Sequence, residues 1–227
     1  MEGVIIFDAS SLISLSMNGL FDEIRKLKKI FQGKFIIPKE VKYEVIDRPL
    51  NVKRFELEAL RIKELLDDRV LEMPDSLGIK NEEISKLKDK MLKIANSMFE
   101  GNKKDIKIIQ DGETACLALS RMLFDKKIPH VIAVDERTTR MLGEKPENLE
   151  KLLTKKLSTR VKLKKKNFKY FRGFRFIRST ELIYVAWKKG LIDLKDGKTV
   201  LDALLWALKF KGCAISGDEI KEIKAMK

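Results

Sequence analysis

The sequence predicts an α/β protein of three layers, helices on both sides of a central and mainly parallel sheet. Three observations lead there. Residues 3–7, 35–37 and 131–134 are short apolar runs without polar alternation, as in strands covered on both faces. Amphipathic helical segments stand between these runs, the order that builds a parallel sheet. At 227 residues and 44% hydrophobic content, the chain can bury a sizeable core.

The elements follow in order. The first strand ends on Asp8, and Ser10 or Ser11 can cap a following helix. Residues 20–31 form an amphipathic helix stopped at Gly33, and Phe35-Ile36-Ile37 is the second strand. Pro38 suits the first turn of the next helix, where Val41 and Val45 are four apart. Residues 52–68 and 81–100 read as two charged amphipathic helices, split by Met73-Pro74-Asp75-Ser76. Asp111-Gly112-Glu113 opens a helix to Leu123, and the strand at 131–134 ends on Asp135. A helix at 146–156, strands at 160–163 and 174–177, and helices at 181–189, 199–211 and 217–226 complete the chain, Gly190 and Gly212 stopping two of them. With no repeat and no Gly/Ser/Pro linker, residues 1–227 read as a single domain. The helices at about 52–100 are an excursion over one side, and about 143–178 is a basic extension.

Composition excludes several chemistries. Cys116 and Cys213 are far apart and outside any CxxC pair, so two reduced thiols packed on helices are expected rather than a disulfide or zinc site. His130, the single imidazole, follows Pro129 in a loop before a strand and is given no role. No apolar run approaches the ~18 residues of a membrane span. The start MEGVIIFDASS lacks a basic leader and cleavage site, so a soluble, cytoplasmic protein without membrane association is expected. Charged residues at 36%, rich in Lys and Glu, hint at a thermophilic source.

Ligands of an open parallel sheet bind beyond the carboxyl ends of its strands. Two strands here end on Asp8 and Asp135, Glu44 lies two turns into the helix after the second strand, and Asp111-Gly112-Glu113 opens another helix at the same rim. Bare carboxylates gathered there repel, so either their pKa values rise or a cation joins them. Oxygen donors without His or Cys suit Mg²⁺ or Mn²⁺. Each acid also has an ordinary reading. Asp8, Asp135 and Asp111 can be helix caps, Glu113 can favour the positive end of its helix, and Glu44, near Glu40 and Asp47, can be solvated charge. No GxGxxG or GxxxxGK[ST] follows a strand, so dinucleotide and P-loop readings fall away. An aspartyl phosphatase wants an acid two residues after Asp8, where this chain has Ser10.

Four segments, 4–13, 37–45, 112–119 and 131–137, carry Asp8, Glu44, Glu113 and Asp135 in that order, and with them the chain resembles, over most of its length, the PIN-domain family of metal-dependent ribonucleases. Val4-Ile5-Ile6-Phe7-Asp8-Ala9-Ser10-Ser11-Leu12-Ile13 is similar to the family's opening strand, first acid and Ser/Thr. Ile37-Pro38-Lys39-Glu40-Val41-Lys42-Tyr43-Glu44-Val45 resembles its I-P-x-x-V-x-x-E segment, and Gly112-Glu113-Thr114-Ala115-Cys116-Leu117-Ala118-Leu119 its G-E-x-x-A-x-A-L helix. Val131-Ile132-Ala133-Val134-Asp135-Glu136-Arg137 resembles its strand-D-[DE]-R segment. Ser179-Thr180-Glu181-Leu182 and Lys188-Lys189-Gly190-Leu191-Ile192 resemble the closing helix of one subgroup. The resemblance implies that Asp8, Glu44, Glu113 and Asp135 hold one or two Mg²⁺ or Mn²⁺ ions for phosphodiester hydrolysis. It also implies that Ser10 orients Asp8, with Asp111 competing with Glu113 as third ligand.

The chain carries 48 basic and 34 acidic residues, a net +14, and residues 151–178 hold 12 of the basic ones and no acid. Phe168, Tyr170, Phe171, Phe174 and Phe176 are interleaved with them. Such a run is costly without an anionic partner, and Lys162, Lys164, Lys165, Lys166, Lys169 and Arg172 are the expected phosphate contacts, with single-stranded RNA as the expected ligand. Phe174 and Phe176 read as core positions of an alternating strand. The leading expectation is a Mg²⁺/Mn²⁺-dependent ribonuclease, either a toxin held by an antitoxin or an RNA-processing enzyme with its own partner. A non-catalytic RNA-binding PIN scaffold is the alternative, and the apolar helices of the first half leave room for a homodimer.

Overall fold

Val4–Phe7 is buried along its whole length, so both faces of this first strand, β1, are covered. The computed structural model describes residues 3–195 and 197–226, the side chains of 165, 166, 168, 197 and 198 aside. Helices α1 (Ala9–Met17) and α2 (Phe21–Ile30) lead to β2 (Lys34–Ile36), which pairs in parallel with β1. Gly33 does not itself end α2, whose last turn closes at Phe31. Its role is close approach: a Cβ there would sit 2.2 Å from the Gly3 carbonyl.

After Pro38, α3 (Lys39–Lys42) runs into a π-helical turn, Tyr43–Asp47, where Arg48 N–H donates to Tyr43 O at 2.9 Å. Such turns are rare and re-aim the side chains they carry, here Glu44. The excursion holds α4 (Glu56–Asp67) and α5 (Asn81–Ala95). Helix 81–100 is corrected at its end, because residues 99–101 turn into β3 (Phe99–Gly101), hairpinned to β4 (Lys104–Asp105). The two loop residues, Asn102 and Lys103, both have φ near +50 to +60°, the backbone a tight twisted hairpin needs, and no glycine marks it in the sequence.

Helix α6 (Asp111–Asp125) then precedes β5 (His130–Ala133), which pairs in parallel with β1 on its other side. His130 begins this strand rather than lying in a loop. Its ring bridges Ser120 Oγ and Ile128 O, each at 2.7 Å. Next come α7 (Arg137–Glu144), α8 (Pro146–Leu157), β6 (Val161–Leu163), β7 (Phe176–Ile177), α9 (Ser179–Lys188), α10 (Gly197–Phe210) and α11 (Gly217–Ala225).

The main sheet is parallel, in the order β2-β1-β5-β7, with helices on both sides in a three-layer α/β/α arrangement. A smaller antiparallel sheet has the order β4-β3-β6. The basic stretch is therefore woven into both sheets through β6 and β7 instead of hanging off as an extension. Phe171 is buried, and Phe174 and Phe176 pack against the core as the alternation implied. One buried cluster runs from Val4 to Ile223. Cys116 is buried on α6, whereas Cys213 is buried in the segment after α10 and not on a helix. Among the described residues no helix is long and apolar enough to cross a membrane.

Candidate functional site

The carboxyl edge of the parallel sheet collects the acids because three of its strands end there together. Asp8 N–H continues the ladder past β1, donating to Ala133 O at 2.9 Å. The chain leaving β2 carries Glu44 to the same edge on its π turn. The amino end of α6 comes so close that a Cβ on Gly112 would sit 2.5 Å from Glu44 Oε2. Glycine at 112 leaves room for that carboxylate against the backbone, and a larger residue would displace the end of the Glu44 side chain.

Asp8 is buried and has two unlike oxygens. Its Oδ2 caps α1, accepting from Ser10 N–H at 3.0 Å and from Ser10 Oγ at 2.6 Å. Its Oδ1 is buried with no hydrogen-bond partner. Burial pushes the Asp8 carboxyl above its usual range against the pull of the Ser10 hydrogen bonds, and the charge of Glu136 adds to the rise. Ser10 Oγ also accepts from the N–H of Asp135 at 3.0 Å and of Glu136 at 3.3 Å, tying the ends of β1 and β5 together.

Glu44 is half-buried and raised, first by burial and then by the Asp8 charge, with Arg48 opposing. Glu113 is pushed up to about 8, again by burial first and Asp8 next, with Glu136 contributing. Its oxygens accept from Gln110 N–H at 2.7 Å and Thr139 Oγ1 at 2.9 Å, so it caps its own helix as well. Glu136 caps α7, accepting from Thr139 N–H at 2.9 Å. Asp8, Glu44, Glu113 and Glu136 are thus one electrostatic group centred on Asp8.

Asp135 is not part of it. Its oxygens accept from Ser179 N–H at 2.8 Å and Ser179 Oγ at 2.6 Å, all fully buried. The carboxylate caps α9 across the sheet, satisfying donors that the helix start would otherwise leave orphaned. Asp135, expected as the fourth acid, is engaged at both oxygens by Ser179, as its neighbour Glu136 is by Thr138 and Thr139, and it is the Glu136 charge that acts on Asp8 and Glu113. Asp111 is exposed and held by Lys88 at 2.6 Å, which turns it from a competing ligand into an ion-pair partner.

The described side chains suit a hard cation. All donors are oxygens, one of them is buried and unpartnered, and the raised carboxyls would be relieved by positive charge. Among the described residues no group of three or more His, Cys, Asp or Glu is already arranged to hold a metal ion. Mg²⁺ is commonly held by one or two carboxylates plus waters and substrate phosphate, which asks for less than a preformed cage.

Glu44 and Gly112 open onto a cleft of about 410 Å³ that also presents Tyr43, Arg48 and Lys39. The expected phosphate contacts are uneven. Lys162 is exposed on β6. Lys164, half-exposed, is paired with Glu100 at 3.0 Å and Asp105 at 2.8 Å. Lys169 lies over the Tyr170 ring, and the carbonyl of Arg172 accepts from Arg121. The side chains of Lys165, Lys166 and Phe168 lie outside the described residues. No protein-family model, curated protein or solved structure matches the chain.

Proposed function

We propose that the chain is a divalent-metal-dependent ribonuclease of the PIN-domain kind, acting on single-stranded RNA. The observation that carries this reading is the buried, unpartnered Oδ1 of Asp8 beside acids whose charges raise its own pKa or are raised by it. Asp8, Glu44, Glu113 and Glu136 are the residues that would hold Mg²⁺ or Mn²⁺. When bound, such an ion supplies Lewis-acid neutralisation of charge developing on a phosphodiester.

The chain's own groups do the positioning. Ser10 fixes Asp8 through Oδ2 and leaves Oδ1 uncommitted, while Thr139 and Gln110 lock the Glu113 carboxyl in place. Gly112 lets Glu44 lie against the start of α6, and Asp135 ties the start of α9 to the rim. The non-catalytic RNA-binding scaffold has one observation in its favour, that among the described residues no group of three His, Cys, Asp or Glu stands ready for an ion.

Incubating the protein with single-stranded RNA in Mn²⁺ or in EDTA separates the two. Cleavage is expected in Mn²⁺ alone, with Asp8→Asn lowering it about 100-fold or more while RNA binding persists. Binding without cleavage in either buffer would select the scaffold.

A further inference from the structure

A second hollow, of about 630 Å³, opens between α7, α8 and residues 214–219, and cations dominate its lining: Arg137, Arg140, Lys145, Lys151 and Lys155. Against these five stand Glu144 and Glu219, and the Glu219 carboxylate is already held by Arg178 at 2.6 Å. Among the described residues, Arg137, Lys145, Lys151 and Lys155 have no ion pair, in contrast to Arg25, Lys34, Lys88, Lys164 and Arg178. Arg140 is fixed by one Nη2 bond to Ala214 O at 2.6 Å, and its Nε is buried with no partner. At the start of α11, Ser216 and Glu219 reciprocally close two of the backbone donors. The positive charge belongs to the side chains. Like charges gathered around a concavity repel unless an anion enters it, and the concavity focuses their field.

Its place matters as much as its charge. Arg137 follows Glu136 directly, and Ala214 N–H donates to Asp135 O at 3.1 Å, so the hollow begins where the acid rim ends. The acids repel a phosphate on their own, whereas this neighbour attracts one. We propose that the hollow seats backbone phosphates of the nucleic-acid strand whose other nucleotides reach the acid rim. It rests on the ribonuclease reading only for what happens at that rim. Lys151 and Lys155 lie within the basic stretch, and Arg137, Arg140 and Lys145 lie outside it.

The test is fluorescence polarisation of a short labelled oligouridylate over a salt series in EDTA, which reads binding without cleavage. Lys151→Gln/Lys155→Gln, both exposed on α8, is expected to melt like the wild type, to bind about tenfold more weakly, and to flatten the log–log salt slope by about 1.4. Lys126→Gln/Lys127→Gln, exposed beyond the other end of α6, removes equal charge and is expected to change neither quantity as much. Equal affinity and slope for both double variants would overturn the proposal. Competition with uridine monophosphate tests a free phosphate source: a mononucleotide bound by the wild type and lost in the α8 variant, with oligonucleotide affinity unchanged, also overturns it. Asp8→Asn is run alongside. If it cleaves normally while the α8 variant binds poorly, the ribonuclease reading fails and the hollow stands.

Discussion

Asp8 and Asp135 end neighbouring parallel strands, both are buried, and in sequence they look alike. Their surroundings are opposite. Asp135 has both oxygens engaged by Ser179 and serves as a cap for α9. Asp8 has one oxygen engaged by Ser10 and one without a partner, with three further acids coupled to it electrostatically. The two strand-end acids differ in how far the fold meets their hydrogen-bonding capacity, and the unmet part lies on Asp8 alone of the pair. A buried carboxylate oxygen without a partner is stabilised by a proton or a cation.

The sharpest way to break this comparison is to neutralise the adjacent acids separately. Glu136→Gln is expected to lower Mn²⁺-dependent cleavage about tenfold with little change in melting temperature. Asp135→Asn is expected to destabilise by about 1–3 kcal/mol, through loss of the buried cap, while folded enzyme keeps most of its activity. Cleavage rates per folded molecule and thermal melts decide between them, and a reversed pattern would return Asp135 to the site.

A smaller effect is expected at Gly112. A methyl group there would sit 2.5 Å from Glu44 Oε2, so Gly112→Ala must push the carboxylate away. Activity should fall several-fold with the fold intact, since alanine suits a helix. The smallest expected effect separates Lys162 from Lys164. Lys162→Gln should flatten the RNA salt slope by about 0.7, and Lys164→Gln, already paired with Glu100 and Asp105, should leave it nearly unchanged.

Much of the architecture could be read ahead. The apolar strands, the helix start at Asp111 and the approach of Asp8, Glu44 and Glu113 at one sheet edge follow from local pattern plus the rule for parallel sheets, whereas the cap of α1 is Asp8 and not Ser10 or Ser11. What escaped has identifiable causes. The hairpin at 99–105 turns on Asn102 and Lys103, residues that can take a left-handed backbone without announcing it. The engagement of Asp135 escaped because its partner, Ser179, lies more than forty residues away. The pairing of Lys164 and the cation-lined hollow between α7 and α8 depend on contacts that no spacing encodes.

The most direct measurement is the melting temperature between pH 4.5 and 8, in EDTA and in Mn²⁺. Unfolded Glu113 loses its proton near 4.5, whereas the folded group holds it up to about 8 through burial and the Asp8 charge. Stability in EDTA therefore falls as pH rises across that window, by on the order of a few kcal/mol, and levels off above it. The raised carboxyls of Asp8 and Glu44 act in the same direction. Glu219, lowered to about 2, acts the other way and below this window, where its contribution is lost as acid protonates it. A cation favours the ionised acids, so Mn²⁺ is expected to raise the melting temperature most near pH 8 and to flatten the slope. Identical curves with and without Mn²⁺, in wild type and Asp8→Asn alike, would contradict a cation site at this edge of the sheet.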